Sequence, residues 1–422
     1  MAQLSDDCFA FGGPLLTVDD VERLISERVT PVAGTETVAL RHARGRVLAI
    51  DVTAPISLPP FDNSAVDGYA VRHSDLAPGG ETRLNVSGEV FAGHASSTIE
   101  AGQAIRIFTG APMPDGADTV FMQEDCRVEG NAVILPPGLK PGANRRLKGE
   151  DVESGSVVLA AGTRLMPHHI AIVAAVGLTE LEVRRRVRVA IFSTGDEIVE
   201  PGSPLPKAAV YDANRALLIA MAEAHGADVT DLGILADDET VLAGALAGAA
   251  ANADLVLTSG GVSTGDADYV RKAVEQVGTL TFWRTAIKPG RPVAMGVLRG
   301  GAGANAAFAG LPGNPVAAFV TFARIVRPLL LRLSGARAEP LLAHPVRAAF
   351  TYKKKTGRRE YVRVSLARAA DGIFEATKYR QDGAGVISSL TETDGLIELP
   401  EDVTGVKPGD MAGFISYAVL MG

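Results

Sequence analysis

The residues best equipped for chemistry lie between 254 and 322, where the chain reads DLVLTSGGVSTGDADYV, then FWRTAIKPGRPVAMGV, then AFAGLPGNPVAAFVTF. Ser259, Gly260, Gly261 and Ser263 offer hydroxyls and backbone amides that an anion can approach closely, because glycine interposes no Cβ. Arg284, Lys288 and Arg291 bring positive charge, and Pro312, Gly313 and Asn314 precede a helix that opens at Pro315. Asp266 and Asp268 close the first stretch, and two more acidic pairs, Asp196 with Glu197 and Asp237 with Asp238, stand upstream. Carboxylates gathered on one rim repel each other and would repel a phosphate. Mg2+, bound through one or two carboxylates plus phosphate oxygens, removes that conflict. The combination suits a phosphorylated ligand with a divalent metal. Several of these aspartates also fit the simpler role of helix caps, so the sequence leaves open which of them face the metal.

These groups need a frame that brings them together. Apolar runs at 255–258, 280–286 and 293–298 each lead into a loop rich in Gly or Pro. From Val187 onward strands alternate with helices: VRVAIFS with STGDE as its loop, a helix over 214–225 closed by Gly226, the strand DVTDLGIL, and a helix from about Asp238. Such alternation predicts a mostly parallel sheet with its ligand site at the carboxyl ends of the strands. Arg284 and Lys288, four apart on one expected strand, should share a face. Before this unit, Thr17 and Asp20 make a capping box for a helix over 18–29, and Pro167 opens a helix closed by Gly177. Short alternating runs between 84 and 135 predict a small β domain. Beyond 344, FTYKKKTGRREYVRVSL and GLIELPEDVTGVKPGDMAGFI read as two hairpins. The expected architecture is multidomain, α/β plus β. A mixed domain (15–55 and 153–184) is interrupted by a β domain (56–152), then followed by an α/β domain (185–335) and a C-terminal β-barrel-like domain (336–422).

Composition narrows the functional classes. A chain of 422 residues exceeds one hydrophobic core, and 47% hydrophobic with 21% charged residues is ordinary for a globular protein. The net charge of −8 argues against binding nucleic acid through a basic face. Two cysteines, Cys8 and Cys126, exclude a disulfide framework and disfavour a thiolate zinc site. No run reaches the ~20 apolar residues of a membrane helix, and the N-terminus lacks a signal-peptide pattern, so a cytoplasmic location is expected. GxxxxGK[ST], GxGxxG after a strand, HExxH and GxSxG are all absent. The seven histidines show no ligand or triad spacing, and His168 with His169 reads as a structural helix start. Cys126 follows an acidic pair, a setting that raises a thiol pKa and opposes a nucleophilic role.

Three polar clusters stand outside the α/β unit: FDNSAVDGYAVR with Asp62, Asn63, Ser64 and Asp67, RIFTGAPMPDGAD with Thr109, and NRRLKGEDV with Arg145, Arg146, Lys148 and Asp151. Singly each could be turn chemistry; together they suggest a cleft shared between domains or subunits. Their joint occurrence with STGDE, SGGVSTGDADYV, AIKPGRP and GLPGNP resembles the MoeA family, the molybdopterin molybdenumtransferases (also found as the gephyrin E domain), over about residues 15 to 420. The resemblance implies a MoaB/MogA-like three-layer α/β domain and insertion of molybdate into adenylylated molybdopterin, with AMP released and Mg2+ present. It places functional positions at Asp67, Thr109, Arg146, Asp151, Glu197, Asp237, Asp268, Arg284, Lys288, Arg358 and Ser388, with Ser389 as the neighbouring alternative to the last. Glu197, Asp237 and Asp268 would hold the metal and the nucleotide phosphates. Arg284 and Lys288 would neutralise the pyrophosphate, and Asp67, Thr109, Arg146 and Asp151 would arrive from the other chain of a homodimer. The pathway adenylyltransferase and acceptor molybdoenzymes are implied partners. An adenylyltransferase activity and a non-catalytic pterin-nucleotide-binding scaffold are the competing functions. The first would normally need the α/β unit alone, which leaves the flanking clusters and the C-terminal domain without a role.

Overall fold

The computed structural model describes residues 4–5, 8–9, 15–95, 97–260, 269–290, 292–300 and 305–422. At its centre is a six-stranded sheet in the order Asp228–Leu235, Arg188–Thr194, Leu255–Ser259, Asn305–Leu311, Pro292–Arg299, Gly278–Arg284. The first four strands are parallel and the last two join by antiparallel ladders. Alternate residues feed two cores. Val189, Ile191, Leu255 and Leu257 face helix Ala213–Ala224 and the helix beginning at Pro315. Ala190, Phe192, Val256 and Phe308 face helices Glu239–Asn252 and Tyr269–Val277. That two-residue alternation is what makes the three-layer unit.

The helix from Pro315 continues as a π turn over Phe322–Val326 and then as Arg327–Leu333. Pro328 has no amide to donate into the ladder, and a wide turn just ahead of it accommodates that loss. Helix Val18–Arg28, capped by the expected Thr17–Asp20 box, buries Val18, Val21, Leu24 and Ile25 in the same core as the central sheet, although it opens the chain.

Thr35–Ala39 pairs with Glu180–Arg184, and Val52–Thr53 with Val157–Leu159, so the two flanks of the inserted region meet around Leu48, Leu165, Val173 and Val183. The inserted region is a six-stranded sheet with an apolar cluster on each face: Ala70, Ile105 and Ile107 on one, Tyr69, Val71, Leu84 and Phe121 on the other. The C-terminal region closes into a barrel. Arg359–Arg368, Phe374–Lys378, His344–Ala348, Met411–Ser416 and Gly395–Leu399 pair in turn, and the last returns to the first. Among the described residues no helix is long and apolar enough to cross a membrane.

Two expectations fail in instructive ways. The run at 280–286 is a strand only to Arg284, and it turns back into Pro292–Arg299 without an intervening helix, so the sheet is mixed at that edge. FTYKKKTGRREYVRVSL is not a hairpin. Tyr352–Lys353 pairs with Gly405–Val406, while Arg359–Arg368 pairs elsewhere in the barrel. The buried Lys354 explains the divergence: its ammonium donates to the carbonyls of Pro400 (2.6 Å) and Val403 (2.8 Å), drawing the segment toward 400–406.

Candidate functional site

The carboxyl ends of three adjacent parallel strands meet backbone to backbone. Thr194 ends its strand with its hydroxyl donating to the Leu235 carbonyl (3.0 Å) and to the Asp237 carboxylate, which ties Asp237 to the rim. A Cβ on Gly195 would stand 2.9 Å from Glu197 Oε2, so that carboxylate folds back over the loop. The next strand ends at Ser259, whose hydroxyl donates to the Pro312 carbonyl (3.1 Å) and accepts from Asn214 Nδ2 (2.8 Å). Asn214 also donates to the Gly313 carbonyl at 2.6 Å. Gly260, at φ 91°, donates its amide to Leu311, and a Cβ there would lie 3.2 Å from the Thr194 carbonyl. Only glycine allows three loops to crowd in this way. The barrel reaches the same place: the Val316 amide donates to Ala384, and a Cβ on Gly385 would sit 3.8 Å from Asn314 Oδ1.

The capping role claims one member of the acidic set. Asp238 accepts from the amides of Thr240 and Val241, both at 2.9 Å. Glu197 and Asp237 remain on the rim as hard oxygen donors. Gly261, Ser263, Asp266, Asp268 and Arg291 lie outside the described residues. Among the described residues no three His, Cys, Asp or Glu side chains cluster as a metal site.

Lys288 belongs to a second sheet, which corrects the expectation that it shares a strand face with Arg284. Arg284 ends its strand exposed, opposite Pro292, whereas Ile287–Lys288 pairs in parallel with Arg359 and Glu360 of the barrel. The Lys288 ammonium donates to the Tyr352 hydroxyl (3.1 Å) and to Glu360 (3.2 Å). Glu360 is 1% exposed and also accepts from Tyr352 (2.7 Å) and from Arg358 Nε (2.6 Å). Burial opposes the charged form of each partner, but the hydrogen bonds prevail. Lys288 is held above the usual lysine range and Glu360 below the usual carboxylate range.

A cavity of about 150 Å³ opens beside them, lined by Lys288, Tyr352, Arg363, Lys378, Tyr379 and Gln381 among others. Arg363, which the sequence did not single out, is 5% exposed. It donates to the Gln381 carbonyl (2.6 Å), its Nε has no partner, and among the described residues it forms no salt bridge, although Asp382 lines the same cavity. Burial pushes its pKa down. A buried cation that forms no salt bridge leaves charge for an anion entering the cavity to meet. The signal was present in EYVRV: Val362 and Val364 alternate into the barrel core, so Tyr361 and Arg363 must face outward toward the α/β unit. Ser388, half-buried, lies 3.2 Å from the Tyr379 hydroxyl at the margin of this cavity. Ser389 is fully buried and donates to the Val386 carbonyl, which leaves Ser388 as the available hydroxyl.

The remaining candidates assemble inside the inserted β region. Thr109 donates to Asp67 Oδ1 through both its amide and its hydroxyl, each at 2.7 Å, and these two bonds hold the carboxyl below its usual range. Arg145 and Arg146 pair with Ser64 and Asn63, the Lys148 amide donates to Asp62 (2.8 Å), and the Asp151 amide donates to Leu58. The three sequence clusters are therefore one cluster in space. Among the described residues it shares no hydrogen bond or ion pair with the α/β rim. Elsewhere, the Cys126 thiol is pushed up to about 11 by burial and the flanking Asp125 and Glu124. His169 accepts the Met166 amide at its helix start. Neither is a reacting group.

Comparison with known proteins identifies the family. Residues 16–177 match the "MoeA N-terminal region (domain I and II)", 190–332 the "Probable molybdopterin binding domain" and 345–416 the "MoeA C-terminal region (domain IV)". The molybdopterin molybdenumtransferase of Haemophilus influenzae is 38% identical over 97% of this chain and 100% of its own length. That of Bacillus subtilis is 33% identical over 89% and 88%. The crystal structure of the molybdopterin biosynthesis MoeA protein from Pyrococcus horikoshii OT3 superposes with a TM-score of 0.80 at 30% identity, covering 96% of this chain and 100% of that one. With all three regions matched in order and relatives aligned nearly end to end, the chain belongs to the MoeA family of molybdopterin molybdenumtransferases.

Proposed function

We propose that this transferase takes molybdopterin in its adenylylated form, inserts molybdate into the dithiolene, and releases AMP as the pyrophosphate bond breaks. The observation that carries this is the buried Arg363, in no salt bridge and with its Nε unpartnered, beside Lys288 in a cavity joined through Ala384, Gly385 and Asn314 to a glycine-lined rim bearing two carboxylates. A tetrahedral dianion fits the first part, since charge-assisted hydrogen bonds from Lys288, Arg363 and the Ser388 hydroxyl would hold it. The phosphates fit the second, where Gly260 and Gly313 put no side chain between a ligand and the crowded loop backbone. Arg284, exposed at the end of its strand, supplies charge as the pyrophosphate separates. Arg358 acts through Glu360, which it helps to keep ionised and aimed at Lys288.

Mg2+ suits the donor set, because Glu197 and Asp237 are hard oxygen ligands on neighbouring loops and Mg2+ ordinarily takes one or two carboxylates plus phosphate oxygens. Asp268 is the third expected ligand. When bound, the ion supplies positive charge against the phosphate oxygens. Asp67, Thr109, Arg146 and Asp151 would complete the cleft from a second copy in a homodimer. The lack of any hydrogen bond or ion pair between them and the rim of their own chain, among the described residues, supports that arrangement. The pathway adenylyltransferase would hand over the substrate, and molybdoenzymes would receive the product.

The test is to incubate the protein with adenylylated molybdopterin, Mg2+ and molybdate, and to measure AMP. Molybdate-dependent AMP release is expected. Accumulation of adenylylated pterin from ATP and molybdopterin would favour the adenylyltransferase instead, and binding without turnover would favour a scaffold.

A further inference from the structure

The inserted β region carries an aromatic feature that the transfer chemistry does not use. Strands Thr82–Val90 and Gln103–Ile107 run in parallel with Val90 opposite Ile107. The residues that follow, Phe91 and Phe108, therefore emerge side by side. Their rings stack with centroids 4.5 Å apart and planes inclined by 10°. The Arg106 guanidinium lies 5.1 Å from the centre of the Phe108 ring, and His94 meets Phe91 edge-on at 6.0 Å. Two phenyl rings stacked on a surface strand end gain little from each other while one remains in water. Phe91 is 41% exposed.

The stack adjoins a polar group of defined orientation. Thr109 follows Phe108 directly and fixes Asp67 through Oδ1. A Cβ on Gly110 would touch Ala92, so the loop carrying Phe91 lies against the loop carrying Thr109. Among the described residues Oδ2 of Asp67 accepts no hydrogen bond. An exposed ring on a loop that adjoins one holding an ionised carboxylate suits one ligand chemistry: a flat heteroaromatic whose edge presents two adjacent N–H donors. The 2-amino-4-oxo edge of a pterin does so, pairing with a carboxylate as a guanidinium does. Adenine does not, because its amino group is flanked by ring nitrogens that accept.

We infer that Phe91, backed by Phe108, is a stacking platform for the pterin ring of the substrate, with Asp67 reading the pterin's amino edge. This rests on the proposed function above and deepens it. It assigns the inserted β region to the pterin end of the molecule and leaves the glycine rim to the phosphates.

The experiment uses the full-length protein with pterin-6-carboxylate and AMP as separate probes, followed by direct fluorescence of the pterin and by calorimetry. Phe91→Ala should weaken pterin-6-carboxylate binding by about 5- to 150-fold, the range for loss of one base-stacking aromatic ring, and leave AMP binding unchanged. Phe91→Tyr should restore it. Asp67→Asn should weaken the pterin probe and spare AMP. In turnover, Phe91→Ala should raise KM for adenylylated molybdopterin with kcat nearly unchanged, a split that a general loss of structure does not produce. The inference is overturned if the unaltered protein does not bind pterin-6-carboxylate at ~1 mM, if Phe91→Ala binds it normally, or if AMP binding falls in parallel. Failure of AMP release by the unaltered protein would instead count against the transfer chemistry, and a selective pterin effect would survive that result.

Discussion

Lys288 and Glu360 show how the site sets its charges. Because the folded-state pKa of Glu360 is depressed, the stability it contributes is complete above the ordinary carboxylate value of ~4.3 and is lost as pH falls through the lower folded value. Lys288 is raised, so its contribution is complete below ~10.4 and is lost as pH rises through the folded value. Glu360→Gln should flatten the acid side of the stability–pH curve in urea unfolding and cost about 3 kcal/mol at neutral pH, since two cations then lose their buried partner. Lys288→Ala should lower AMP release by about 10²- to 10³-fold. Arg363→Met keeps the bulk of the side chain and removes its charge. It should raise the molybdate concentration for half-maximal rate by about 10-fold or more, with AMP binding unaffected. Lys288, Glu197 and Asp237 stood out in the sequence as candidates, because each is a charged side chain at or just past the end of an apolar strand-like run. Arg363 stayed hidden, since its significance depends on which way a barrel strand faces and on its forming no salt bridge there.

At the scale of elements, the glycines decide whether the loops can meet. Gly260→Ala would place a Cβ 3.2 Å from the Thr194 carbonyl at φ 91°. It should cost about 1–3 kcal/mol in urea unfolding and raise KM for adenylylated molybdopterin, since the loops at the rim must part to admit the methyl group. The strands and helices themselves were largely legible. The Thr17 capping box, the helix Pro167–Ala175 before Gly177 and the strand Asp228–Leu235 follow from local spacing alone. What local spacing could not give was pairing. Nothing in FTYKKKTGRREYVRVSL reveals that Lys354 will bond to carbonyls some 50 residues away, within 400–403. Nor does the amphipathic pattern of Val18–Arg28 say whose core it will enter.

The arrangement of the whole molecule turns on the distance between two groups of residues. Among the described residues Asp67 and Thr109 share no hydrogen bond or ion pair with the rim that holds Glu197 and Asp237, and the proposed cleft would be completed by a second chain. Mixing Asp67→Asn with Lys288→Ala, two variants expected to be inactive alone, should recover about a quarter of the normal rate if subunits exchange. Half of the dimers would then be mixed, each with one intact site. A site built within a single chain would recover nothing, and light scattering of the unaltered protein should give twice the monomer mass.

Within one chain, the barrel is bound to the α/β unit at its most sensitive point. Ile287–Lys288 serves as an added edge strand for Arg359–Glu360, so the lysine of the site is also a structural member of the neighbouring sheet. The two cannot drift apart independently in evolution or in the laboratory. A chimaera that imports a relative's barrel while keeping its own 285–290 loop would arrive with a mismatched seam, and the first casualty would be the position of a single ammonium group. Exchanging loop and barrel as one cassette should preserve it.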